Sequence, residues 1–136
     1  MADYFTHFAC LLDVGTPGNA ARALDIYNDL CATGASEEPP SEGFELSIDP
    51  THGGTKLWMR DNRTGDPQRV IDFALRCAEA FALTGRWGFQ WANTCSRPRV
   101  NAFGGGAHVL DLGRRDTVAW IGTRGWLEDT IKGGQP

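Results

Sequence analysis

No apolar run in this 136-residue sequence approaches the roughly 18 residues that a membrane-spanning helix requires, so no membrane role is expected. The amino terminus, MADYFTHFAC, lacks both the basic flank and the unbroken apolar centre of a secretion signal, and a cytoplasmic location follows as an expectation. The four cysteines, at 10, 31, 77 and 95, show no CxxC or CxH spacing. In a reducing compartment they read as free thiols rather than a disulfide frame. His7, His52 and His108 form no HxH, HxxxH or HExxH run, so neither a metal site nor a metal cofactor is expected. There is no excess of positive charge either: 13 basic residues face 17 acidic ones, a net charge of −4. That balance argues against a nucleic-acid partner or an anionic membrane surface.

What is present fits one folded α+β domain spanning 1–136, long enough to bury a core without disulfides or metals. Residues 3–14 alternate as a strand, with Tyr4, Phe8, Cys10, Leu12 and Val14 on one face. Phe5, His7, Ala9 and Leu11 lie on the other, and apolar residues on both faces suggest a central strand. Thr16-Pro17 then opens a helix whose stripe is Ala20, Ala23, Leu24, Tyr27, Leu30 and Cys31, with Gly34 as its stop. An acidic, proline-bearing loop with Glu37, Glu38 and Glu42 follows and reads as solvated. Phe44, Leu46 and Ile48 alternate with polar residues, a turn covers 50–54, and Leu57 and Met59 point inward from a second strand of the same hairpin. Asp66-Pro67 opens a second helix with Val70, Ile71, Ala74, Cys77, Ala78 and Phe81 on its stripe and Gly85 closing it. Trp87, Phe89 and Trp91 alternate in the strand after it.

This order, β-α-β-β-α-β, is that of the ferredoxin-like unit, with both helices on one face of a four-stranded antiparallel sheet. A C-terminal extension adds a hairpin, 107–112 and 117–121 about Gly113-Arg114-Arg115-Asp116, and a short amphipathic helix at 124–132. Trp120, Trp126, Leu127 and Ile131 need cover, and the open sheet face is the expected place for Trp120 and Trp126 to be buried.

The segment RWGFQWANTCSRPRVNAFGGGAH, from Arg86 to His108, is the candidate site. Three adjacent glycines carry a heavy ordering cost and need a reason. If backbone approaches a ligand or partner there, Trp87, Trp91, Arg97, Arg99, Gly104, Gly105, Gly106 and His108 would form the binding surface. The competing explanation is a bulge or tight crossover over which the tryptophans pack. The glycines match neither GxxxxGK[ST] nor GxGxxG before a helix, so no nucleotide cofactor is expected. Cys95 and His108 could be pictured as nucleophile and base, but spacing alone supports no catalytic assignment. Cys10, Cys31 and Cys77 fall on apolar stripes and read as small core hydrophobes. Trp58, between Lys56 and Arg60, points away from Leu57 and Met59, as Phe5 and His7 would on the first strand. Such a face could stack nucleic-acid bases, although the RNP1-type run is absent.

Three stretches, LLDVGTPGNAARALDIYN, GGTKLWMRDN and GRWGFQWANTCSRPRVNAFGGGAHVLDL, resemble a family of short proteobacterial proteins of unknown function carried partly on mobile elements. The resemblance covers most of the chain and implies no activity, cofactor or catalytic residue. A mobile-element setting implies a small inhibitor or regulator working through protein contact. A non-catalytic protein-binding role is therefore the leading expectation. A small-molecule site or enzyme near Arg97, Arg99, Gly104–Gly106 and His108 is the alternative, and a nucleic-acid binder using the sheet face comes third.

Overall fold

The computed structural model describes residues 2–35, 43–100 and 102–133; the acidic loop with Glu37, Glu38 and Glu42 lies outside them. The chain folds as an α+β domain in which two antiparallel sheets share a core with two long helices. Strands β1 (Tyr4–His7) and β2 (Ala9–Asp13) precede helix α1 (Pro17–Ala35). The hairpin β3 (Glu45–Asp49) and β4 (Lys56–Arg60) leads into α2 (Pro67–Phe81). Then come β5 (Arg86–Cys95), β6 (Gly104–Asp111), β7 (Asp116–Gly122) and α3 (Thr123–Lys132). Among the described residues, no helix is long and apolar enough to cross a membrane.

Local chemistry sets the helix starts as the sequence suggests. Thr16 Oγ1 accepts from the Asn19 amide at 3.0 Å, and Asp66 Oδ1 accepts from the Gln68 amide at 3.0 Å, each before a proline that needs no partner for its nitrogen. The stops differ. Helix α1 runs through Gly34 to Ala35, and α2 ends three residues ahead of the expected closure, with Ala82 rather than Gly85 in the left-handed conformation. Gly85 also has positive φ but serves the next turn, its carbonyl accepting from the Leu112 amide.

The single ferredoxin-like sheet is not formed. One sheet has the order β1-β5-β6-β7 and the other β2-β4-β3. The expected central strand 3–14 is broken at Phe8, so that β1 and β2 are each an edge in their own sheet. The cause is visible at Asp61, whose carboxylate accepts the Phe8 amide while the Asp61 amide donates to the Phe8 carbonyl. Residues 63–65 continue along β1, with the Thr6 amide donating to the Arg63 carbonyl and the Gly65 amide to the Thr6 carbonyl. On the opposite side, β5 pairs with Tyr4–His7 and then diverges from β2. Trp87 fills the divergence, its indole N–H donating to the Leu11 carbonyl at 2.8 Å. An unpaired backbone oxygen is satisfied by the ring that wedges the two strands apart.

The core lies between the helices and the inner sides of both sheets. Leu12, Leu57 and Met59 from the smaller sheet, with Val14 just after β2, meet Ala20, Ala23, Val70, Phe73, Ala74 and Cys77 from α1 and α2. Phe89 and Leu110 join the same cluster from the larger sheet and Leu112 from the turn after β6, and Phe8 bridges the two sheets through an edge-on contact with Phe89. Of the 3–14 segment, Phe8, Leu12 and Val14 are buried, whereas Leu11 and also Tyr4, expected on the same face as those three, are exposed.

The C-terminal extension overturns an expectation. The hairpin forms, with Arg115 in the left-handed turn position and its amide donating to the Asp111 carbonyl. It extends the larger sheet beyond the helices instead of folding over an open face. Trp120 is 69% exposed and Trp126 57%, and α3 buries no residue. Chain length explains the difference. Helix α3 starts at the residue after β7, so no connection exists that could carry it across the molecule.

Candidate functional site

The structure separates the residues of the Arg86–His108 segment. Trp87, Phe89 and Trp91 share one face of β5, with Trp87 stacked on Phe89 and Trp91 tilted against it. All three pack against the core, so the two tryptophans act first as structural aromatics.

Gly104, Gly105 and Gly106 are not a loop but the first three residues of β6, paired with Asn93, Ala92 and Trp91. A methyl group on Gly106 would sit 2.5 Å from Trp91 Cζ2 and 2.6 Å from the Ile121 carbonyl oxygen, and one on Gly105 would collide with the Trp91 carbonyl. Gly104 is less confined, its nearest neighbour being Thr123 Oγ1 at 3.3 Å. Close approach accounts for Gly105 and Gly106, and the groups approached are the protein's own indole and backbone; the run is regularly paired strand, not the bulge or crossover offered as the competing explanation.

Arg97 and Arg99 are exposed in the β5–β6 connection, and neither has an ion-pair partner among the described residues. Val100 and Phe103, in the same connection, are exposed as well. This connection ends at Gly104, beside the start of α3, where Thr123 Oγ1 donates to the Gly105 carbonyl at 3.2 Å. Two free arginines thus lie at the end of the sheet from which α3 departs.

His108 lies opposite Phe89 on β5 and Trp120 on β7, and its Nε2 is 2.8 Å from Thr117 Oγ1. Burial of the ring holds its pKa below the ordinary histidine value. Cys95 lies six residues further along β5 than Phe89, about 20 Å away at strand rise, so Cys95 and His108 cannot form a nucleophile–base pair. Burial pushes the Cys10 and Cys77 thiols up to about 12, which keeps them protonated at neutral pH. All four cysteines are free, and no metal-binding cluster occurs among the described residues.

Two further features lie elsewhere. Trp58 stands on the outer face of the smaller sheet, 44% exposed, with the Arg60 guanidinium 4.0 Å above its ring. Beside it runs an open groove of about 560 Å³ lined by Leu11, Ser47, Asp49 and Pro50. Phe5 and His7 do not share this face, because the break at Phe8 places them on the other sheet, and the joint stacking platform is absent. They stack on each other under Arg63, with His7 Nδ1 2.8 Å from Asp61 Oδ2.

Trp120 and Trp126, expected under the open sheet face, belong instead to a concentration of exposed apolar groups. Val118, Trp120 and Ile121 of β7 and Trp126, Leu127 and Ile131 of α3 are all exposed. Their apolar character was legible; the lack of anything to cover them was not. No protein family, curated protein sequence or solved structure matches the chain.

Proposed function

We propose that this chain is a small cytoplasmic binding protein, of regulatory or inhibitor type, that works without catalysis through protein–protein contact centred on β7 and α3. The observation that carries the reading is the concentration of exposed apolar side chains on an edge strand and an uncovered helix: Trp120 and Ile121 on opposite faces of β7, and Trp126, Leu127 and Ile131 on α3. Exposed apolar patches of this kind mark contact surfaces. Tryptophan and arginine are the residues most enriched at energetic centres of interfaces. Arg97 and Arg99 lie at the end of the sheet next to the α3 start, where unpaired guanidinium groups suit the polar rim of such a surface.

A ligand reading is supported at a different place from the glycine run. The groove beside Trp58 has the volume and apolar lining suited to a small molecule, whereas Gly105 and Gly106 are filled by protein. A stacking role toward nucleic acid has one exposed ring, Trp58, with Arg60 already over it, on an acidic chain.

The test is affinity capture from the native cell with the wild-type chain and with a Trp120→Lys/Trp126→Lys variant. Contact through β7–α3 predicts a captured protein that the variant loses. Equal capture by both, or recovery of a metabolite with no protein, would overturn the reading.

A further inference from the structure

We infer that the groove on the outer face of the β2-β4-β3 sheet binds a small organic cation, with a flat aromatic body against Trp58 and an ammonium head at Asp49. The inference deepens the ligand reading of that groove. It is independent of contact through β7 and α3, since β7 belongs to the other sheet.

The fold leaves this face open. Leu57 and Met59 turn inward to the helices, so Trp58 between them points outward. Pairing sets Leu11, Trp58 and Ser47 in one row across the sheet, and Asp13, Lys56 and Asp49 in the next. The groove over these rows, about 560 Å³, has the volume of a site for a single small molecule. Its walls are held in place. The Arg60 guanidinium, 4.0 Å from the Trp58 ring centre, is itself anchored 2.8 Å from Ser47 Oγ and 3.6 Å from Glu45. On the β2 side the Leu11 carbonyl accepts from the Trp87 indole. Thr51 donates both its amide and its hydroxyl to Asp49 Oδ1, at 2.9 and 2.7 Å. A site with pre-set walls loses little freedom on binding.

The lining decides the class of ligand. Leu11, Pro50 and the Trp58 indole offer apolar surface, and a planar ring system can lie against the tryptophan. Among the described residues that line the groove, Asp49 alone is charged. An apolar ligand laid over that carboxylate would strip it of water and give nothing in return. An anionic ligand would meet it with like charge. The nearby cations do not offset this: Arg60 is engaged by Glu45 and Ser47, and Lys56 stands between two carboxylates in the register. A cationic head at Asp49 resolves both problems, because a charged hydrogen bond replaces the water that the ligand displaces. Since Arg60 already covers the Trp58 ring, the indole serves the body of the ligand and Asp49 serves its charge.

The test is titration of the full chain with tryptamine, tryptophol and indolepropionate, followed by amide and indole NMR shifts. The three probes share one aromatic body and carry a cationic, a neutral and an anionic head. The expected result is saturable binding of tryptamine, with shifts centred on Leu11, Ser47, Asp49 and Trp58. Tryptophol and indolepropionate should bind about fivefold or more weakly, the scale of one partly exposed ion pair. Asp49→Asn keeps an oxygen for the Thr51 donors, so the turn should survive while the preference among the heads disappears. Trp58→Ala, at an exposed position, should weaken tryptamine about tenfold with the circular dichroism of the fold unchanged. Equal affinity for the three heads at the groove, or a preference that survives Asp49→Asn, would overturn the cationic class. No saturable binding by any probe, or shifts centred away from the groove, would remove the ligand reading of the groove as well. Neither result touches partner capture through β7 and α3.

Discussion

The indole of Trp91 lies over Gly106, its Cζ2 atom only 2.5 Å from where a β-carbon at 106 would stand. The ring occupies the side-chain position that glycine leaves empty, and the Ile121 carbonyl closes the same space from β7. Gly106→Ala must therefore displace either a core-packed aromatic ring or a strand. It is expected to destabilise the fold by about 1–3 kcal/mol. Gly104→Ala, whose added methyl meets only the movable Thr123 hydroxyl, should cost clearly less. Urea titrations of the two variants make the comparison; equal losses would deny Trp91 this role.

Asp61 organises the break between the two sheets. Burial pushes its pKa up, but hydrogen bonds from His7 and from the Phe8 and Arg63 amides, together with the His7 charge, outweigh this and hold it below the ordinary carboxylate value. A carboxylate with a depressed folded-state pKa adds stability that is complete above the unfolded value, about 3.9, and is lost as pH falls through the folded one. Asp61→Ala should cost about 2–3 kcal/mol at neutral pH, since it strips the Phe8 and Arg63 amides of their acceptor. The same substitution should flatten the acid limb of the stability–pH curve. An acid limb unchanged in Asp61→Ala would show that other carboxylates dominate it.

His108 works in the opposite sense. Its depressed pKa means that the unfolded chain takes up a proton first as pH drops below about 6.5, so this residue subtracts stability there and subtracts nothing above. His108→Gln should remove that loss, and denaturation at pH 5.5 and 7.5 should differ less for the variant than for the wild type. An undiminished difference would place the effect at another histidine.

Arg97→Ala/Arg99→Ala should leave the fold nearly untouched, within about half a kcal/mol, because both side chains are exposed and unpaired. Partner capture should weaken. A large fall in melting temperature with capture intact would make this connection scaffold instead of surface.

Truncation distinguishes the two parts of the C-terminal extension. Removing 124–136 takes away a helix that buries nothing, and the melting temperature should stay close to that of the full chain. Removing 104–136 deletes β6, and with it fully buried Leu110 and the strand that pairs with Trp87–Trp91, so this shorter chain should not fold. Thermal melts monitored by near-ultraviolet circular dichroism report both.

The sequence by itself determined the parts that depend on neighbours within one turn or one hairpin. Thr16 and Asp66 announce α1 and α2 because a capping oxygen and a following proline act over three residues. Alternation at Leu57, Trp58 and Met59 gives the facing of β4, since side-chain direction in a strand has a period of two. Tertiary structure decided the rest. Strand 3–14 breaks at Phe8 because Asp61, more than fifty residues away, takes the backbone there, and no local pattern encodes that meeting. The glycine run belongs to a strand because Trp91 arrives across it from β5. Trp120 and Trp126 remain uncovered because apolar character gives a residue a reason to be buried, while only the packed chain supplies a surface to bury it against.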